Sequence, residues 1–227
     1  MALPVLFGAL GDIHGDFEAA RRIMTRHSEV PFWVCVGDLA DGDGRYEALP
    51  VPLHWIKGNN ENFDRIGAGD FPENLNFLEN GQACEVGGLR IAGLGGTHAP
   101  SWYDTAAADL PHPRKGSAKA TELADKRRHF VRQEVDACKA LGSVDVLLTH
   151  EAPRPFRVGR MDAGKTPINE VLASLHPRLH LFGHHHRFSE QDVRGVKSTG
   201  LDLVSRSYLL IDARTLDYEL RPAVAAP

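Results

Sequence analysis

Gly11-Asp12-Ile13-His14-Gly15-Asp16 follows directly on Val5-Leu6-Phe7-Gly8-Ala9-Leu10, and this junction sets the reading of the whole 227-residue chain. An apolar run ends abruptly in a carboxylate and an imidazole two residues apart. The pattern returns four times: 32–36 into Gly37-Asp38, 53–57 into Gly58-Asn59, 144–149 into His150, and 179–182 into Gly183-His184-His185-His186. Runs of this length, β-branched or aromatic and closed by glycine or a polar group, read as buried strands. Each delivers polar residues at its carboxyl end, where open α/β sheets carry their ligand sites.

Composition narrows the classes. A hydrophobic content of 42% over 227 residues supports a sizeable core and predicts a single domain over 1–221 with a loose tail at 222–227. The net charge of −4 excludes whole-surface attraction to nucleic acid and leaves room for a local basic patch. Cys35, Cys84 and Cys138 are too few and scattered for a disulfide framework or a zinc cluster. Cys35 lies inside an apolar run and reads as a reduced core thiol, which points to the cytoplasm. Met1 to Leu10 lacks a basic leader, and Asp12 and His14 follow too early for a secretory signal. No stretch is long and apolar enough to span a membrane.

Outward from the first junction, Phe17, Ala20, Ile23 and Met24 recur at helical spacing, so a β-turn-α-β unit leads from Asp12 to Asp38. The next loop, Leu39-Ala40-Asp41-Gly42-Asp43-Gly44, is acidic and glycine-rich but lacks the bidentate Glu that an EF-hand calcium loop needs. Gly87-Gly88 between two alternating runs predicts a hairpin. Residues 95–116 lose regular patterning, and loops of that length are usually functional or mobile. Residues 119–141 read as an amphipathic helix with Ala120, Leu123, Ala124, Phe130, Val131, Val135, Cys138 and Leu141 on one face. Its Lys126-Arg127-Arg128 run reads as a solvated face. A second irregular stretch carries Arg154, Arg157, Arg160 and Lys165; a helix follows around 169–175, and 207–211 with 216–220 form a hairpin.

Asp12, His14, Asp38, Asn59, His150, His184 and His186 supply carboxylate, amide oxygen and imidazole, with no thiolate. That set suits borderline divalent metals such as manganese, iron or zinc, and exceeds what one four-coordinate ion needs. Two ions sharing a carboxylate are the economical solution; such pairs, about 3.5–4 Å apart, clamp an oxyanion and bring the pKa of bound water toward about 7. Phosphoryl esters fit that clamp best. Each motif alone has an ordinary explanation: Asp-x-His as surface chemistry, Gly-Asp as a turn, Gly183-His184-His185-His186 as a satisfied histidine cluster. Five in series are hard to obtain without a metal site. His27, His54, His129, His176 and His180 read as structural.

Taken together, Gly11-Asp12-Ile13-His14-Gly15, Gly37-Asp38-Leu39-Ala40-Asp41, Gly58-Asn59-Asn60-Glu61, Thr149-His150 and Gly183-His184-His185-His186 resemble, in order and spacing, the calcineurin-like metallophosphoesterases. The resemblance implies an α/β fold, a four-layer αββα sandwich of two mixed sheets with a dinuclear site at the strand ends. Carried over motif by motif, it implies Asp12, His14, Asp38 and His186 around one metal, and Asp38, Asn59, His150 and His184 around the other. Asp38 would bridge two divalent ions, manganese first among the candidates, and a hydroxide between them would attack phosphorus in line.

One departure matters. The family usually carries Gly-Asn-His-Asp/Glu at the third motif, where the histidine protonates the leaving group; here that position is Asn60. An amide donates no proton at neutral pH, so acid catalysis worth roughly 10²- to 10⁴-fold is missing or relocated. Asn60 can still orient phosphate, and His98 and His112 are candidates for a relocated acid. The second motif lacks the Asp-Arg-Gly of phosphoprotein phosphatases. The stretches 86–96 and 144–154 resemble the RNA lariat debranching branch, which retains the histidine and has a larger C-terminal region. That likeness implies a phosphodiesterase for a nucleotide, RNA or DNA, with Trp102 and Tyr103 stacking a base and Arg154 and Arg157 binding phosphate. A phosphomonoesterase is a further alternative. The competing class is a protein-binding module, because the retromer subunit of this fold serves as an interaction surface.

Overall fold

The protein is described by a computed structural model, whose described residues are 6–113 and 124–223. One six-stranded sheet contains β1 (Leu6–Leu10), β2 (Trp33–Cys35), β3 (Leu53–Trp55), β4 (Leu75–Phe77), β15 (Ser207–Asp212) and β16 (Tyr218–Pro222), in the order β16-β15-β1-β2-β3-β4. The other contains β5 (Ala83–Val86), β6 (Leu89–Leu94), β9 (Val146–Thr149), β12 (Leu179–Phe182), β13 (Ser189–Val193) and β14 (Val196–Gly200), in the order β13-β14-β12-β9-β6-β5. β1 through β4 run parallel, as do β6, β9, β12 and β14, while β5, β13, β15 and β16 pair antiparallel. Both sheets are mixed, as expected.

Alternation along the strands builds three layers of core. Phe7, Ala9, Val34, Leu209 and Ile211 of the first sheet meet Ile91, Val146, Leu148, Leu179 and Leu181 of the second. The alternate residues Leu10, Trp33, Cys35 and Tyr208 face α1 (Phe17–Arg26), while Ala92, Leu94 and Leu147 pack with α3 (Arg132–Lys139) and α4 (Thr166–Leu175). The short α2 (Phe63–Ala68) follows the third motif. The result is the four-layer αββα sandwich. Burial of both faces explains why the five strands read as continuous apolar runs rather than alternating ones.

The helix expected over 119–141 is corrected. Residues 119–123 lie outside the described residues. Beyond them, Asp125 caps a 3-10 turn at Lys126–Arg128 by accepting from Arg127 N, and β8 (His129–Phe130) pairs with β7 (Thr97–His98). Phe130 is fully buried against His98 and Tyr103. The helix begins only after Val131, whose N–H donates to Glu134 Oε2 at 2.9 Å. Lys126-Arg127-Arg128 is not a bare basic run: Arg127 pairs with Asp125 and Asp64, and Lys126 Nζ lies 5.9 Å from the Trp102 ring centre. The C-terminal hairpin also runs further than expected, since Arg221 and Pro222 pair opposite Tyr208 and Ser207 in β16; residues 224–227 lie outside the described set.

Candidate metal centre

β1, β2 and β3 point their carboxyl ends the same way, and β9 and β12 deliver theirs from the facing sheet. The loops are locked together by their backbone. Ile13 N and His14 N both donate to Asp38 O, at 3.0 and 2.7 Å, and His184 N donates to Asp12 Oδ2 at 3.0 Å. Gly58 has to be glycine, because a Cβ there would lie 1.9 Å from Asp38 Oδ1. Gly37, at φ 108°, likewise brings the second motif against the Gly58 backbone and the His150 ring.

These constraints gather the predicted side chains into one cluster. His186 Nε2 lies 3.0 Å from Asp12 Oδ2 and 3.1 Å from His14 Nε2. His14 Nε2 and His150 Nε2 each lie 3.6 Å from Asp38 Oδ2, so one carboxylate oxygen faces both imidazoles. His150 Nε2 is 3.0 Å from Asn59 Oδ1, and the His184 ring centre is 4.9 Å from that of His150. Asp12, Asp38, Asn59 and His150 are buried, whereas His14 and His186 open toward solvent. Two overlapping sets could hold an ion by geometry, Asp12 with His14 and His186, and Asp12 with Asp38 and His150.

The donor chemistry fits cations. His150 Nδ1 sits 2.8 Å from Val36 O, an acceptor only, so that nitrogen carries the proton and Nε2 turns a lone pair inward. That lone pair then faces the Asn59 oxygen and the Asp38 carboxylate, all acceptors, an arrangement that a cation or an extra proton must reconcile. Burial opposes charge on both Asp38 and His150. Their mutual attraction nevertheless wins, aided at Asp38 by Asn60 and His14 and at His150 by Asp12 and the Val36 carbonyl. The Asp38 carboxyl is thereby held below its usual range and His150 above its own. Burial, then the neighbouring His150 and His185, pushes His184 down to about 3, leaving it neutral at pH 7 with a lone pair to give. The hydrogen bond that His186 Nε2–H donates to the Asp12 carboxylate raises the pKa of His186.

Against this geometry, the calcineurin-like phosphoesterase profile matches residues 5–188. The chain belongs to the calcineurin-like phosphoesterase family. It is therefore a member of a family of metal-dependent phosphoester hydrolases, and its ligand cluster is the family's candidate metal site. This calcineurin-like phosphoesterase is 28% identical over 200 residues to the lariat debranching enzyme of Schizosaccharomyces pombe (strain 972 / ATCC 24843), covering 77% of this chain and 42% of that protein. The chain thus spans less than half the length of that curated relative. In fold it resembles TT1561 of Thermus thermophilus, with TM-score 0.64, 15% identity and coverage of 98% and 100% of the two chains. It also resembles GAP50, the anchor in the inner membrane complex of Plasmodium, with TM-score 0.50, 10% identity and coverage of 100% and 90%.

Around the ligands, the structure locates the remaining candidates. Asn60 grips Asp38 twice, its backbone N–H donating to Oδ1 and its Nδ2 to Oδ2, both at 2.8 Å. A cleft of about 360 Å³ opens beside it, lined by His14, Ala40, Asp41, Gly42, Gly44, Asn60 and Glu61. His98 is stacked on Phe130 and edge-on to Tyr103, and burial lowers its pKa, so its ring is neutral at pH 7. His112 is exposed and bonded to Leu110 O. Trp102 lies under Lys126, and Arg154 pairs with Asp162 at 3.0 Å. Arg157 stands on the ribbon formed by β10 (Arg157–Val158) and β11 (Met161–Asp162).

Two supporting residues have roles that the sequence did not specify: Glu61 of the third motif, and His180, structural as expected. Glu61 accepts from Leu39 N, Ala40 N, Gly58 N and the Tyr46 hydroxyl, buckling the second motif to the third. Burial and the nearby Asp38 push its carboxyl up to about 7. His180, fully buried, completes a chain behind the fourth motif. Thr149 Oγ1 donates to Glu151 O at 2.6 Å and accepts from His180 Nε2 at 2.8 Å, while His180 Nδ1 accepts from Ser198 Oγ at 3.0 Å. The only sequence signal for either is a polar residue sitting in or beside an apolar run.

Proposed function

We propose that the chain is a dinuclear-metal phosphodiesterase acting on a nucleotide or nucleic-acid phosphodiester. Asp12, His14, Asp38 and His186 hold one ion, and Asp38, Asn59, His150 and His184 hold the other. The observation that carries this is Asp38 Oδ2 lying 3.6 Å from both His14 and His150, midway between the two ligand groups. Manganese suits the mixed oxygen and imidazole set, with iron and zinc as alternatives. Bound there, the ions supply Lewis-acid polarisation of a phosphoryl oxygen and a water acidic enough to ionise near pH 7.

The side chains supply the rest. Asn60 fixes the orientation of the shared carboxylate, and having no acidic proton it gives none to a leaving group. Among the described residues no Lys or Arg lines the cleft beside His14 and Asn60, which favours a singly charged diester over a doubly charged monoester. The similarity to a lariat debranching enzyme supports the same class. Arg154 and Arg157 after the fourth motif, and Trp102 on the 95–113 loop, are the substrate contacts of this reading. Cys35, Cys84 and Cys138 are unpaired, which fits a reducing cytoplasm; among the described residues no helix is long and apolar enough to cross a membrane.

Metal-stripped protein assayed with bis-p-nitrophenyl phosphate and p-nitrophenyl phosphate, adding manganese, iron, zinc or magnesium in turn, tests the proposal. Metal-dependent diester turnover that disappears in Asp38→Asn is expected. Two bound ions without turnover would instead favour a binding module, the reading that Asn60 in the histidine position supports.

A further inference from the structure

We infer that the exposed ribbon at 157–162 is the docking element for single-stranded nucleic acid flanking the scissile phosphate, an inference that rests on the phosphodiesterase reading. Three features converge on it. The first is charge. On a chain of net charge −4, the segment 154–165 carries Arg154, Arg157, Arg160 and Lys165 against Asp162 alone. Arg154 is taken up by Asp162, and Lys165 lies 3.6 Å from Glu151. Arg157 and Arg160, like the adjoining Arg187, have no carboxylate partner among the described residues, although most other arginines do.

The second is exposed apolar surface. Met161 is 72% exposed and Val158 43%, two of the three large hydrophobic side chains left open among the described residues. They are cross-strand partners in the β10–β11 pair, so they share one face of the ribbon. By the same alternation Arg157 lies on the opposite face, with Arg160 in the turn, so a single strand crossing the ribbon has an apolar face for an unpaired base and cations beyond its edge and tip for the phosphates. A duplex, whose bases are stacked internally, gains nothing from the apolar face.

The third is position. Phe156, at the base of the ribbon, stacks on His185 with ring centres 4.5 Å apart, and His185 lies between the ligand residues His184 and His186. Arg187 follows at once, with its guanidinium 5.0 Å from the Phe156 ring centre and Nη2 donating to Arg157 O at 3.1 Å. A strand leaving the metal centre past His186 meets Arg187 and then the ribbon.

Fluorescence anisotropy with a 5′-labelled oligo(U) 10-mer, in EDTA over a salt series, tests this without requiring turnover. Wild-type protein is expected to bind with a slope of log K against log salt of about −2, for three cations at about −0.7 each. Arg157→Glu/Arg160→Glu is expected to lose at least about tenfold in affinity and roughly 1.4 of that slope. Met161→Ser is expected to lose about fivefold with the slope unchanged, as for a lost stacking contact. Arg157→Lys/Arg160→Lys should keep the slope, and Arg26→Glu/Arg214→Glu, at the end of α1 and in the turn between β15 and β16, should bind as wild type; these two exclude misfolding and bulk charge. Equal binding by wild type and Arg157→Glu/Arg160→Glu, or no binding by wild type, overturns the inference. So does ribbon-dependent binding to phosphatidylserine vesicles without oligonucleotide binding, or self-association that Met161→Ser abolishes. Hydrolysis of bis-p-nitrophenyl phosphate by the wild-type chain is read separately, so failure of the docking surface and failure of the phosphodiesterase reading give different results.

Discussion

Asn60→Ala removes one half of the grip on Asp38 and leaves the other. The lost half is the Nδ2 bond to Oδ2, and the retained half is the backbone bond to Oδ1, both 2.8 Å. A hydrogen bond to a charged group contributes about 1.5–3 kcal/mol. With the backbone bond still orienting the carboxylate, the lower figure applies, about 1.5 kcal/mol or roughly tenfold in metal affinity. That is the low end of the roughly 10- to 100-fold seen when partners behind a metal ligand are removed. Competition for manganese against a chromophoric chelator at pH 7.5, with metal counted on the dialysed protein, reads it directly. Asn60→His is the companion variant: metal affinity within about threefold of wild type and higher turnover of diesters with poor alkyl leaving groups are expected, since an acid worth roughly 10²- to 10⁴-fold is restored. If Asn60→Ala held manganese as tightly as wild type, the positioning role of Asn60 would be refuted. Unchanged kinetics in Asn60→His would remove the missing-acid argument as well.

Asp38→Asn should lose both ions and all activity while retaining the far-ultraviolet circular dichroism of the fold. Gly58→Ala, which drives a Cβ to 1.9 Å from Asp38 Oδ1, should do nearly the same through backbone displacement; intact metal stoichiometry would contradict that contact. Burial pushes His180 down to about 3, below an unfolded value near 6.5. Stability from this residue is therefore complete above pH 6.5 and is lost as pH falls toward 3, by about 2 kcal/mol at pH 5. Urea unfolding of the metal-free protein at pH 7.5 and pH 5.0 should show that loss, and His180→Gln should show correspondingly less of it; equal pH dependence would contradict the burial of a neutral ring.

The parts of this molecule legible in the sequence are those in which local pattern and tertiary demand agree. The runs before Asp12, Asp38, Asn59, His150 and His184 are buried on both faces, so their apolar continuity announces strands. Gly87-Gly88 announces the β5–β6 hairpin, and the period of Phe17, Ala20, Ile23 and Met24 announces α1. Residues 126–130 were illegible because the helical spacing of Phe130 with Val135 and Cys138 is fortuitous: Phe130 belongs to a strand that pairs with residues 32 positions earlier. β13 and β14 escaped because Ser198 and Thr199 are polar yet fully buried, their burial offset by His180 and Tyr218. At the site, the seven ligand-type residues could be read from strand ends. The grip of Asn60 on Asp38 and the buckle made by Glu61 could not, since both depend on loops from different strands meeting in space.

His14, Asp38, His184 and His186 have φ of 47°, 53°, 69° and 47°, and they are four of the seven non-glycine residues in the left-handed region among the described residues. Each such residue stores roughly 1 kcal/mol that the surrounding sandwich must offset. Local opening of these loops releases that energy, whereas opening of the sheets behind them does not. The amides of the site loops should therefore exchange with deuterium far sooner than those of β1, β9 and β12. On heating, or in a variant weakened elsewhere, catalytic competence should fail first and the scaffold later, so a protein that still looks folded can already have lost its centre.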